Sequence, residues 1–392
     1  MELSILIYKD LKHGLSREKQ FSLSTRNNFG ILTSMSDITA VVLTIGEETT
    51  QLAIDFVKKQ TLPPEEIIII RNVTPFHKAL NQGASQVKTE FFMQVDSDMI
   101  LDENCLEDLR KCMEKNVGIA VGHLRDPLIG RISSIRMFRK ECFEKVQFKN
   151  SISPDTDFRN DIWQYGWITV YVLRFFDKSN KKLWHTFGEH RPSYTPHYTF
   201  SKYLLEGRRY RYRKDLGGLL WHFRELKNSG HEASLIAQIA IAHGIFLEDE
   251  NDLLNPYPKN EDFDFLERFL TSSGSYNVNK FKISPFDIFN PKKAFKKYYK
   301  LGIELRKANA FSAFKYCMDV LNKSRDNFIW IAKVSLCHGL FSEDYSEKKF
   351  KKEYCKLNEL LSEYNLLHIL KKKLKRFFIS IIYFFLHFLN IK

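Results

Sequence analysis

Between residues 38 and 115 the chain alternates short apolar runs with helical ones, and this alternation restricts the fold more than any other feature. Residues 38–44 (ITAVVLT) are mostly β-branched and are followed by Gly46, the pattern of a buried parallel strand ending in a loop. Residues 49–60 carry a helical rhythm in Leu52, Ala53, Phe56 and Val57 that Pro63 and Pro64 stop. Four consecutive isoleucines at 67–70 predict a strand covered on both faces, 79–87 a second helix, 91–95 (FFMQV) a third strand and 105–115 a third helix. Such a βαβαβα run predicts a parallel sheet with right-handed crossovers, and ligands then bind beyond the carboxyl ends of its strands. No Gly-rich phosphate loop follows the first strand, which argues against a dinucleotide-binding or P-loop site.

Further along, strands are expected at 167–175 and 182–186 and a basic helix at 199–213. The Asp-, Asn- and Pro-rich stretch 248–264 reads as a junction, and helices are expected at 263–270, 293–308, 311–322, 326–340 and 347–370. The expected organisation is an extension (1–37), an α/β domain (38–247), a helical region (248–370) and a tail (371–392). No internal repeat or low-complexity linker stands out.

Charge sharpens this division. The net charge of the 392 residues is +13, yet residues 1–280 balance at 37 basic and 37 acidic side chains, whereas 281–392 hold 23 basic against 10 acidic. A hydrophobic fraction of 44% excludes a disordered chain, and the neutral first 280 residues argue against a nucleic-acid-binding protein. The six cysteines show no CxxC and no regular spacing, so buried free thiols are expected rather than a disulfide framework or structural zinc. No basic leader opens the chain, which predicts a protein that starts in the cytosol.

The sharpest chemical feature is Asp96-Ser97-Asp98, directly after the third strand. Two carboxylates at a strand end can hold a hard divalent cation, and such a cation can neutralise charge building on a nucleotide diphosphate. A second acidic cluster, 154–161 (PDTDFRND), precedes an apolar stretch. It reads either as first-turn residues favoured by a helix dipole or as a general base, Asp155, with Asp157 orienting the base or the acceptor.

Taken together, these motifs resemble the GT-A glycosyltransferases of the family 2 type. ITAVVLTIGE matches their first strand and turn, Gln60-Thr61 with Pro63 their Q-T-x-P, Asn81-Gln82-Gly83 their N-x-G, and QVDSDMIL their DxD block. RMFRKECF (136–143) is similar to their R-R-x-x-F segment and PDTDFRNDIWQYG to the segment carrying the catalytic base. The resemblance covers about 130 residues and thins after Arg213. It implies a GT-A α/β fold, a mostly parallel sheet flanked by helices, followed here by an α-helical carboxyl-terminal region. The implied activity is metal-dependent, inverting transfer from a nucleotide-diphosphate sugar, with Mn2+ or Mg2+, to a glycan or polyprenyl-linked glycan. Asp98 would be the direct metal ligand and Asp96 would reach metal or ribose. Asp155 would be the base, with Asp157 and Trp163 supporting base or acceptor. Thr44, Glu47 and Asn72 would contact the nucleotide, and one histidine among His185, His190 and His197 would add a metal contact, His190 being favoured as a loop residue after a strand. Two departures stand out: Arg71-Asn72 replace the acidic residue usual after the second strand, and Pro154 replaces the one usual before the base.

The run 206–214 (EGRRYRYRK) interleaves cations with aromatics; its arginines, Arg208 and Arg209 first, suit a diphosphate, and the bland alternative is a solvated helix face. The tail joins five cations in 371–376 to a 15-residue apolar segment, too short to span a bilayer. It suits insertion at an anionic membrane surface on the cytoplasmic side, with 292–300 (KKAFKKYYK) on the same surface; a buried helix or a homo-oligomer seam is the alternative. A nucleotidyltransferase and a catalytically inactive membrane scaffold remain the competing readings.

Overall fold

The computed structural model describes residues 2–11, 14–23, 36–178, 181–247, 260–278, 290–324 and 329–362. The chain forms two compact units, one running through Tyr194 and the other starting at Thr195. The expected division at 248 falls among residues outside the described set. The actual one comes earlier because the basic helix finds its packing partners in the helices that follow it.

The first unit contains β1 (Glu2–Leu11), β2 (Gly14–Leu23), β3 (Ile38–Thr44), α1 (Thr50–Lys58), β4 (Glu66–Arg71), α2 (Phe76–Gln86), β5 (Phe91–Asp96), β6 (Met99–Leu101), α3 (Cys105–Arg110), β7 (Val117–Asp126), β8 (Gly130–Arg139), α4 (Glu141–Lys145), α5 (Pro154–Trp163), β9 (Ile168–Lys178), β10 (Lys181–His185) and β11 (Gly188–His190). Its sheet runs β2-β1-β9-β7-β8-β5-β3-β4, with β10 on β9 and β11 between β6 and β7. The βαβαβ reading holds where it was sharpest: β3 pairs in parallel with both β4 and β5. The sheet as a whole is mixed rather than mostly parallel. Residues 127–129 are too short a link for a crossover, so β7 and β8 form a hairpin, and β8 pairs antiparallel with β5. The amino-terminal extension also joins the sheet, with β1 antiparallel to β9.

Every residue of β3 is buried because both sheet faces are covered. Ile38, Ala40 and Val42 pack with Ile54 and Val57 of α1 and Leu106 and Leu109 of α3. Val41 and Leu43 face Ala79 and Leu80 of α2 and a phenylalanine cluster in which Phe148 and Phe158 stack at 4.4 Å. The cysteines are free, and five of the six are buried, as expected.

The second unit contains α6 (Pro196–Arg213), α7 (Leu216–Ser229), α8 (Ser234–Gly244), α9 (Asn260–Leu270), α10 (Pro291–Lys307), α11 (Phe311–Lys323), α12 (Ile329–Gly339) and α13 (Glu347–Ser362). Contrary to the sequence reading, it contains an internal repeat. α6, α7 and α8 begin 95 residues before α10, α11 and α12, respectively. At that offset 15 of the 54 positions from 196 to 249 are identical, Gly207/Gly302 and His243-Gly244/His338-Gly339 among them. The contacts repeat as well. Arg211 donates to the Ile245 carbonyl as Arg306 does to that of Leu340, and Lys214 and Asn309 share a left-handed backbone. Thr195 and Asn290 each cap the first helix of their copy.

In each copy the first and third helices cross with their backbones touching. A Cβ on Gly207 would stand 2.2 Å from the Ile241 carbonyl oxygen, and one on Gly302 2.3 Å from that of Leu336. Backbone cannot yield as a flexible side chain can, so only glycine fits. Gly207→Ala and Gly302→Ala should therefore each destabilise the second unit by about 1–3 kcal/mol in chemical denaturation; a neutral result at both sites would contradict the crossing geometry.

Candidate active site

The ends of β3, β4 and β5 meet at one edge, and the first loop is organised there by its own acid. Glu47 accepts hydrogen bonds from the Thr44 hydroxyl (2.8 Å) and the Ile45 amide (2.9 Å). Burial pushes the Glu47 carboxyl up, but hydrogen bonds from Ser97, Thr44 and Ile45 outweigh it and hold the group below its ordinary value. The Ser97 bond ties this loop to the Asp96-Ser97-Asp98 turn. Asn72 stands beside it, exposed and in a left-handed conformation, its amide donating to the Thr44 carbonyl.

His190 is brought to the same turn by strand pairing. It lies on β11, not in a loop as the sequence suggested, and β11 runs antiparallel to β6 with His190 opposite Met99. Gly188 makes that approach possible: its φ is +144°, and a Cβ there would stand 2.2 Å from the Ile100 carbonyl oxygen. His190 Nε2 consequently lies 3.1 Å from Asp98 Oδ2. Its other nitrogen, Nδ1, lies 2.6 Å from Asp126 Oδ2, which also accepts from the Tyr194 hydroxyl at 2.6 Å. Asp126 is itself fixed, Oδ1 accepting from the Leu128 and Ile129 amides. A carboxylate on one nitrogen of a histidine sets its tautomer and aims the other. Neither Asp126 nor Tyr194 was singled out from the sequence; an aspartate at the end of an unrecognised strand carries no local signature.

Asp155 lies in the first turn of α5, so the helix-start reading is correct as to place. It is also tied to the paired aspartates. Arg136 of β8 donates to Asp155 Oδ2 (2.5 Å) and to Gln94 Oε1 (3.3 Å), and Gln94 Nε2 donates to Asp96 Oδ1 (3.0 Å). This chain of contacts joins the end of β5 to the start of α5. Asp157 faces Ser151 instead, and Trp163, at the far end of α5, is 43% exposed.

Of the other expected residues, His185 is exposed and 3.7 Å from Asp102, and His197 packs edge-on against Phe263 in the second unit. Arg208 and Arg209 also belong to the second unit, on α6, where Arg208 is buried and Arg209 pairs with Glu206. The solvated-helix-face reading fails for Arg208.

Asp96 shows the electrostatic character of the turn. Burial and the neighbouring Asp98 carboxylate push it up to about 6, against weaker opposing effects of Gln94, Arg136 and His190. Two acids this close favour a cation between them and their surroundings. Among the described residues no group of three or more His, Cys, Asp and Glu is arranged to hold a metal ion; Asp98 and His190 form a converging pair that could supply two ligands.

Residues 46–155 match the family model described as glycosyl transferase family 2. This segment, which spans β4, β5 and the Asp96-Ser97-Asp98 turn, is a glycosyltransferase family 2 domain set in an α/β fold. No curated protein matches it in sequence. Among solved structures, the mannosyltransferase PcManGT from Pyrobaculum calidifontis, in complex with GDP-Man and Mn2+, is 12% identical over 54% of this chain and 72% of its own, with a TM-score of 0.34. TarS residues 1–349 from S. aureus, in complex with UDP-GlcNAc, is 12% identical over 77% of this chain and 88% of its own, with a TM-score of 0.29. At scores this low neither carries weight for this chain.

Because Asp96 is held above its ordinary value, its effect on stability has a definite sign. Its contribution is greatest when it is protonated and is lost as pH rises from about 4 through about 6. In metal-free protein Asp96→Asn should raise stability near pH 8 by about 1–2 kcal/mol, discounted for partial exposure, with little gain near pH 4. An equal gain at both pH values in denaturant titrations would exclude ionisation as the cause.

Proposed function

We propose that this glycosyltransferase transfers a sugar from a nucleoside diphosphate to an acceptor hydroxyl with inversion, Asp155 acting as general base. The observation that carries the reading is the Asp96–Gln94–Arg136–Asp155 chain of contacts, which ties the candidate base to the Asp96–Asp98 turn. With Asp155 Oδ2 engaged by Arg136, Oδ1 is the atom that meets the acceptor hydroxyl. As the hydroxyl oxygen bonds to the anomeric carbon, its proton passes to Asp155 and the bond from that carbon to the diphosphate oxygen breaks. Asp157 and Trp163 would contribute on the acceptor side, and Thr44, Glu47 and Asn72 on the nucleotide side.

Asp98 Oδ2 and His190 Nε2, with Asp96 beside them, would hold Mn2+ or Mg2+, and Asp126 would keep His190 aimed at it. A cation bound there would stabilise negative charge on the departing diphosphate. The raised Asp96 fits a site that awaits a positive charge. The burial of Arg208 and the Arg209–Glu206 pair count against a diphosphate role for these two arginines.

The acceptor is proposed to be a glycan or polyprenyl-linked glycan reached from a membrane surface. The basic and apolar tail at 371–392, on which the membrane reading rests, lies outside the described residues. Among the described residues no helix is long and apolar enough to cross a membrane. Removing 371–392 should abolish cosedimentation with anionic liposomes; unchanged binding would refute the tail's role.

Asp155→Asn should lower transfer at least 10²-fold, about the smallest contribution expected of a general base, while leaving nucleoside diphosphate binding intact. Asp98→Ala should abolish binding of the nucleoside diphosphate in the presence of Mn2+, measured by titration calorimetry. Full activity in purified Asp155→Asn protein would sink the mechanism, and preference for a triphosphate would turn the assignment towards a nucleotidyltransferase.

A further inference from the structure

The two copies in the second unit meet at a row of four titratable groups, three of them buried. Asp262 Oδ2 of α9 lies 3.2 Å from His243 Nε2, His243 Nδ1 lies 3.1 Å from His338 Nδ1, and His338 Nε2 lies 3.5 Å from Glu353 Oε2 of α13. His243, His338 and Glu353 are 4%, 5% and 7% exposed and so shielded from water, whereas the Asp262 side chain, at 31%, keeps one end of the row in contact with it. Carboxylate, imidazole, imidazole and carboxylate make three junctions, and each sets lone pair against lone pair unless a proton lies in it. Two neutral imidazoles and two carboxylates bring only two protons.

We propose that this row is a proton-binding site, so that closing the second unit takes one proton per chain from solvent and holds it along the His243–His338 pair. The incoming proton completes the third junction; no bond other than N–H or O–H forms or breaks. The surroundings suit the added charge. The Phe341 ring stacks on His243 at 3.8 Å and the Phe246 ring on His338 at 4.0 Å, each phenylalanine coming from the opposite copy, and an aromatic face attracts a cation. The other groups that face the row are Lys356, whose Nζ is 3.6 Å from Glu353, Lys349, whose charge acts on both His338 and Glu353, and Tyr299, whose ring is 5.5 Å from that of His338. Two carboxylates and one added proton leave a single negative charge, which faces Lys356 and Lys349. Burial alone draws His338 down to about 4 against the pull of Glu353, and the proposal requires that sharing the proton along the row offset that burial.

The sign follows from proton uptake on folding. The folded row binds the proton more tightly than the unfolded chain, so its stabilisation is complete below the unfolded histidine value of about 6.5 and is lost as pH rises through the folded value. Between these two values the unfolding constant should rise about tenfold per pH unit.

The test uses the full chain. Denaturant unfolding of wild type from pH 6.5 to 8.5 should show that slope, and His243→Gln and His338→Gln should each flatten it. Nitrogen-15 NMR of histidine-labelled wild-type protein near pH 7 should show one ring pair carrying three ring protons, or two with Glu353 protonated, and this decides the matter even if both variants fail to fold. Identical slopes in wild type and variants, or two neutral rings beside two ionised carboxylates, would overturn the proposal. So would stoichiometric zinc in metal analysis with the slope lost on chelation.

Discussion

Two carboxylates one residue apart at the end of a buried strand repel each other, and much of the first unit is arranged around that repulsion. Gln94 and, through it, Arg136 steady Asp96, while His190 faces Asp98 and is itself held by Asp126. Ser97, between the two acids, reaches back to Glu47 and so locks the first loop to the same turn. None of these partners neutralises the pair, which leaves Asp96 well above an ordinary aspartate. Under the proposed function, a cation bound beside the pair would relieve that repulsion.

What could be read from the sequence was what short-range pattern encodes. ITAVVLT and the isoleucine run announce buried parallel strands, and DSD after FFMQV announces a polar strand end. The β7–β8 hairpin was missed because VGIAVGHLRD mixes glycines and a histidine into its apolar residues, which blurs the period, and with it went Asp126. His190 was favoured among three histidines, but its strand has only three residues, below the length at which alternation is visible. The Arg136–Asp155 contact joins residues 19 apart through tertiary packing, and no spacing rule foretells it.

The repeat in the second unit escaped notice for a related reason. Its two copies keep identity at the positions that geometry fixes and let the rest drift. Glycine stays where helix backbones touch, an arginine stays where it reaches the end of the third helix, and His-Gly-x-Phe stays where each copy meets the other. Elsewhere Arg208 corresponds to Ile303 and Gln238 to Lys333, so composition and charge make the two helical stretches look unrelated. Burial is retained through those changes: Arg208 and Gln238 stay buried, and burial lowers Lys333 to about 8.

The carboxylates that flank the paired histidines differ: one is the aspartate of α9 and the other the glutamate of α13, at 3.2 and 3.5 Å. Two halves built to one plan thus meet at a centre whose flanks are chemically unequal. The two histidines, equivalent by the repeat, are therefore made inequivalent by helices that lie outside it.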